Sequence, residues 1–154
     1  MTIVQELYSI FDREQEKFLA RRSSKGHVVL ELSQNLALLR EGLADNLPGH
    51  VIISSFEDDR YRKAIERGIN LDTIRKQALA RRTFDGIREF EKYRGWSTAK
   101  LIHNAYERIG TLRKLHANSA NVGVRLQYFF KYLMLVMAHI EDRVLAPEPE
   151  RQSR

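Results

Sequence analysis

The stretch "VRLQYFFKYLMLVMAHIEDR", residues 124–143, decides the fold. Between Leu126 and Ile140 only Gln127, Lys131 and His139 are plainly polar. Leu126, Phe130, Leu133, Met137, Ile140 and Val144 recur at alternating intervals of four and three, the period of an α-helix. Tyr128, Phe129, Tyr132, Leu135 and Val136 widen that stripe to roughly 220° of the helix surface. A membrane span needs about 20 predominantly apolar residues. This run is shorter and carries a lysine and a histidine, so no membrane role is expected. A helix apolar over most of its circumference must be covered on several sides. Either the rest of the bundle supplies that cover, or a second copy or protein partner does. In the second case Tyr128, Phe129, Tyr132 and Val136 are the interface candidates, because aromatic side chains favour interface cores.

Upstream, the helical period continues. A first helix is expected from Thr2, with Gln5 as capping-box partner and Val4, Leu7, Phe11 and Phe18 on one face. It should end near "RRSSKG", Arg21 to Gly26. Val29, Leu32, Leu36, Leu39 and Leu43 mark a second helix that stops at Pro48-Gly49. "VII", Val51 to Ile53, reads as an apolar loop plug. Ser55 is placed to cap a third helix with Glu57, Asp58 and Asp59 in its first turn. Asn70 or Asp72 should restart a basic helix through "TIRKQALARR", and whether it runs on past Asp85-Gly86 is open. Ser97 should cap a helix carrying Ile102, Ala105, Ile109, Leu112 and His116. The expected fold is all-α: a single helical bundle of about five to seven helices over residues 1–146. The proline-bearing tail, 147–154, is expected to be flexible.

With 154 residues, 43% of them hydrophobic and 30% charged, one soluble globular domain is expected. The chain has no cysteine, which excludes disulfides, thiol nucleophiles and thiolate zinc sites. No basic segment precedes an apolar core at the N-terminus, so a secretory signal is not expected and the expected location is cytoplasmic. The net charge of +6 is uneven. Arg60, Arg62, Lys63, Arg67, Arg75, Lys76, Arg81 and Arg82 face only Glu66 and Asp72 within their segment. These eight are the nucleic-acid-binding candidates, able to neutralise phosphates while Tyr61, Phe84 and Tyr93 stack on bases. A solvated basic face paired with nearby acids is the competing reading.

Catalytic signals are sparse. Phosphate-binding glycine loops and the Gly-x-Ser-x-Gly nucleophile turn are absent from the sequence. His103 and Glu107 lie one helical turn apart, but no Glu-x-x-His pair accompanies them, so neither a metal nor another cofactor is expected. In "RRSSKGH", Arg22 and His27 are separated by four residues. That spacing resembles the Arg-x(4–6)-His signature of helical ribonucleases of the HEPN superfamily. The resemblance implies metal-independent RNA cleavage, with His27 in acid–base chemistry and Arg22 on the phosphate. At this arginine content chance alone gives about two such matches, the number present, so the spacing assigns no family.

The sequence therefore points first to a non-catalytic interaction or assembly module, self-associating or a subunit of a larger complex. A small RNA- or DNA-binding accessory protein using the 60–82 face is the alternative.

Overall fold

The computed structural model describes residues 23–145, and every regular element among them is helical. The expected first helix, Arg22 and the tail 147–154 lie outside the described residues.

Helix α1 (Ser24–Ala44) begins at Ser23, whose Oγ accepts the Gly26 N–H at 3.0 Å. A serine N-cap satisfies one of the donors that a helix start leaves open. The expected turn at "RRSSKG" is thereby corrected: Ser24 to Gly26 already belong to the helix. Val29, Leu32, Leu36 and Leu39 are buried as their spacing predicts. Leu30, Glu31, Ser33 and Asn35 are buried too, so much of α1 is enclosed well beyond the single stripe.

"VII" is not a loop plug. It forms helix α2 (Gly49–Ser54), with Pro48 at the N-cap and Ile52 and Ile53 in the core. Two glycines allow it to sit close. A Cβ on Gly42 would lie 2.7 Å from Ile52 Cγ1, and one on Gly49 would lie 2.5 Å from Val122 Cγ1.

Ser55 closes α2 rather than opening the next helix, and its Oγ donates to the Val51 carbonyl at 2.8 Å. Helix α3 (Asp59–Glu66) is capped from a distance instead. Buried Glu31 of α1 accepts the Arg60 N–H at 2.9 Å and the Tyr61 N–H at 3.2 Å. Asn35 adds a two-way amide clamp on Glu57, donating to its carbonyl at 2.8 Å and accepting its N–H at 2.9 Å. A carboxylate at the positive end of a helix is favourable. Here it comes from another helix, which local sequence could not show.

The expected basic helix through "TIRKQALARR" is also corrected. Residues 71–93 hold only three short 3-10 turns, Leu71–Thr73, Arg81–Thr83 and Arg88–Tyr93. The buried residues explain why. Leu71, Leu79, Phe84, Phe90 and Tyr93 all enter the core, and intervals of eight, five, six and three cannot share one helical stripe. Backbone bonds hold this irregular segment in place. Leu79 N–H donates to Trp96 O, Gly95 N–H donates back to Leu79 O, and Leu145 N–H donates to Thr83 O, at 2.9, 2.9 and 2.7 Å.

Ser97 caps helix α4 (Thr98–Thr111) as expected, accepting the Lys100 N–H at 3.2 Å. The chain then widens into a π turn at Leu112–His116 before helix α5 (Val122–Ile140). Helices α1, α3 and α5 all end the same way. Asn46, Gly68 and Asp142 adopt φ of 52°, 71° and 54°, and the residue after each reaches back to a carbonyl inside the helix. This is the Schellman turn, which satisfies orphan carbonyls and stops the helix.

α5 packs chiefly on α1 and α4, with α2 also touching it. Phe129, Tyr132, Leu133, Val136 and Met137 are each no more than 2% exposed. The chain itself therefore covers three of the four interface candidates, Phe129, Tyr132 and Val136. Tyr128, 60% exposed, stays on the surface. Val144 leaves the expected stripe because the turn at Asp142 ends the helix before it. No helix among the described residues is long and apolar enough to cross a membrane.

Candidate functional site

The eight basic candidates of residues 60–82 do not form one helical face. Arg62 pairs with Asp58 and Asp59 at 3.1 and 2.9 Å, and Arg81 reaches Asp85 at 3.7 Å. Arg67 donates to Ser24 Oγ at 3.2 Å. Arg75 and Arg82 converge on Asp142 from 3.0 and 2.6 Å, and Arg75 also donates to the His139 carbonyl. Arg60 is half-buried where its backbone meets Glu31. Only Lys63 and Lys76 are both exposed and without an ion pair or hydrogen bond among the described residues. Most of the segment's charge is thus engaged by the protein's own oxygens.

A different set of cations lines a cleft of about 360 Å³ between the 3-10 turn Arg88–Tyr93, the α4–π junction and α5. Its floor is apolar and aromatic: Phe90, Tyr93, Leu112, Phe129 and Tyr132 are all buried. Arg108 of α4 enters the cleft half-buried. Its guanidinium lies 4.0 Å from the centre of the Tyr132 ring and 5.7 Å from that of Tyr93, and it donates to the Tyr93 hydroxyl. Such a cation over π faces is held in place without neutralisation. No carboxylate among the described residues pairs with it. The Tyr132 hydroxyl donates to the Leu101 carbonyl at 2.6 Å, which fixes the ring beneath the arginine. Burial, the leading cause, pushes the Tyr132 phenol well above the ordinary tyrosine range, so it stays a neutral donor.

The rim adds Lys92, Arg125, Tyr128 and Lys131, all exposed. Glu89 is the one acid of the described residues in the lining, and it pairs with Lys131 at 3.5 Å. Half-buried His116 comes from the π turn. Such turns are frequent at functional sites because they re-aim side chains that a regular helix would direct elsewhere.

Two polar clusters elsewhere are committed to structure. Tyr61 stacks on Tyr106 with centroids 4.0 Å apart, its hydroxyl lies 2.5 Å from His103 Nδ1, and Tyr106 donates to Glu31 at 2.8 Å. His103 is therefore engaged by a tyrosine. His139 is fully buried and its Nε2 lies 2.8 Å from Thr98 Oγ1. That hydroxyl donates to the Arg75 carbonyl at 2.8 Å, so the imidazole must be the donor in their shared bond. His139 is then the neutral Nε2–H tautomer, with Nδ1 buried and unpartnered. Burial first, then the Arg75 charge, lowers its pKa to about 4. His27 sits half-buried in the first turn of α1, and the Arg22 proposed beside it is outside the described residues.

The sequence contained part of the cleft's signature. Arg125, Tyr128 and Lys131 follow one another at three-residue intervals, and Lys92-Tyr93 adjoin. Arg108 carried no such signal, because what sets it apart is the ring beneath it. No protein-family model, curated protein or solved structure matches the chain, so its chemistry stands on this geometry alone.

Proposed function

We propose that this chain is a non-catalytic α-helical binding module whose working surface is the aromatic cleft and whose partner is anionic. One observation carries the reading. Arg108 is held on tyrosine rings with no carboxylate of the described residues paired to it, in a cleft that adds Lys92, Arg125 and Lys131 against Glu89, the single acid of the described residues there. An incoming anion would gain charge-assisted hydrogen bonds there without first displacing an internal acid from Arg108. Glu31 and His139, buried groups of the types used in acid–base chemistry, instead cap a helix and bond a threonine. The cytosol is the compartment this reading assumes, in keeping with a cysteine-free chain.

Titration of the full chain with inorganic polyphosphate and with poly-glutamate tests the reading. Arg125→Glu with Lys131→Glu should abolish binding to both, whereas Arg62→Glu with Lys63→Glu should leave it largely intact. Equal loss in both double variants, or no binding at low salt, would overturn it.

A second reading, self-association, draws on one feature of α5. Val124 and Tyr128, 55% and 60% exposed, lie four residues apart on one stripe. Light scattering would show a dimer that Val124→Lys disrupts, and a monomer at high micromolar concentration would end this reading.

A further inference from the structure

We infer that the occupant of the cleft is a single-stranded stretch of nucleic acid, with a base on Tyr128 and backbone phosphates on the cations around it. This rests on the cleft being the binding surface. Three features select the occupant.

Arg125 and Lys131 are six residues apart on α5, about 9 Å along the helix axis. Lys92 stands on the other wall. Cations spread in this way suit the successive charges of a polymer backbone. Tyr128 sits between Arg125 and Lys131 along the helix and is 60% exposed, with Lys131 Nζ 6.0 Å from its ring centre, so a planar partner on the ring would lie beside that cation. Stacking on a lone aromatic needs a base already out of a duplex, which favours single strands. The Arg108 guanidinium, held over the Tyr132 ring that packs on Tyr93, lines the same cleft as Tyr128 and adds a further cation for the strand. An acidic peptide would use the cations but would leave the exposed ring without a stacking partner.

Fluorescence anisotropy of the full chain with labelled twelve-residue oligo-uridine and oligo-thymidine tests this. Controls are a duplex of equal length, inorganic polyphosphate and poly-glutamate. The single strands should bind more tightly than the duplex, and the uridine and thymidine arms show whether RNA or DNA is preferred. Tyr128→Ala should weaken single-strand binding about tenfold while leaving the salt dependence and polyphosphate affinity unchanged. Arg125→Glu with Lys131→Glu should instead flatten the salt dependence, by about 0.7 in log–log slope for each phosphate that is no longer neutralised. Tyr128 is exposed, so its removal leaves the core intact, and unchanged circular dichroism of the variant checks this. The inference is overturned if the duplex binds as tightly as the single strands, or if Tyr128→Ala leaves oligonucleotide affinity unchanged. Polyphosphate or poly-glutamate binding with no oligonucleotide binding would reject this inference and keep the cleft as an anion site. No binding to any polyanion would reject both.

Discussion

Arg75 and Arg108 are both half-buried guanidiniums facing α5, and their surroundings differ in kind. Arg75 meets oxygens: the Asp142 carboxylate at 3.0 Å and the His139 carbonyl. Arg108 meets carbon: two tyrosine rings, with one phenol oxygen as its hydrogen-bond partner among the described residues. The first arginine holds the end of α5 to the irregular 71–97 segment. The second has donors to spare and an open cleft before it. A basic sequence segment is thus a poor guide to a basic site, since what matters is whether the fold has already matched each cation with an acid.

Five substitutions and one change of pH would break or sharpen that contrast. The largest effect belongs to the oxygen-matched side. Glu31→Leu strands the Arg60 and Tyr61 N–H groups and the Tyr106 hydroxyl, and should cost about 4 kcal/mol in urea unfolding.

Acid should come next. The folded pKa of His139, about 4, lies below its unfolded value near 6.5. Folding therefore favours the neutral ring. Its contribution is fully present above about pH 6.5 and is lost as the pH falls toward 4. The loss is on the order of 3 kcal/mol over that window, and His139→Gln should flatten this part of the stability–pH curve. Thermal melts across pH 4–7 would measure both.

The two arginines can then be compared directly. Arg75→Met removes donors from a carboxylate and a buried carbonyl and should cost about 2 kcal/mol. Arg108→Met strands no acid and should cost less than about 1 kcal/mol, while lowering polyanion affinity. Equal stability losses would erase the contrast. The smallest effect is Arg81→Ala, which breaks an exposed pair at 3.7 Å. It should shift stability by less than about 0.5 kcal/mol and leave polyanion titrations unchanged.

Much of the helical skeleton was legible in the sequence because its signals are local. The 3-4 spacing of Val29 to Leu39 placed α1, and Ser97 placed the start of α4. The misplaced elements failed for long-range reasons. Ser55 looked like a cap, but the α3 N-terminus takes its acceptor from Glu31, twenty-nine residues before Arg60. "TIRKQALARR" has fair helix formers, yet core demands at Leu79, Phe84, Phe90 and Tyr93 pull the backbone off any single stripe. Of the cleft, Lys131 stood out only as a polar interruption and Tyr128 as apolar width and an interface candidate, while nothing local singled out Arg125.

By itself the sequence determined the helical class, the starts of α1 and α4 within a few residues, and the uneven distribution of charge. Periodicity, capping residues and proline act within a turn or two of the chain, so one strand of letters contains them. Only the tertiary structure decided which charges remain available. Electrostatic pairing depends on distance in space: Asp142 engages Arg75 and Arg82 from sixty or more residues away, while Arg108 is laid on Tyr132 with no acid of the described residues paired to it.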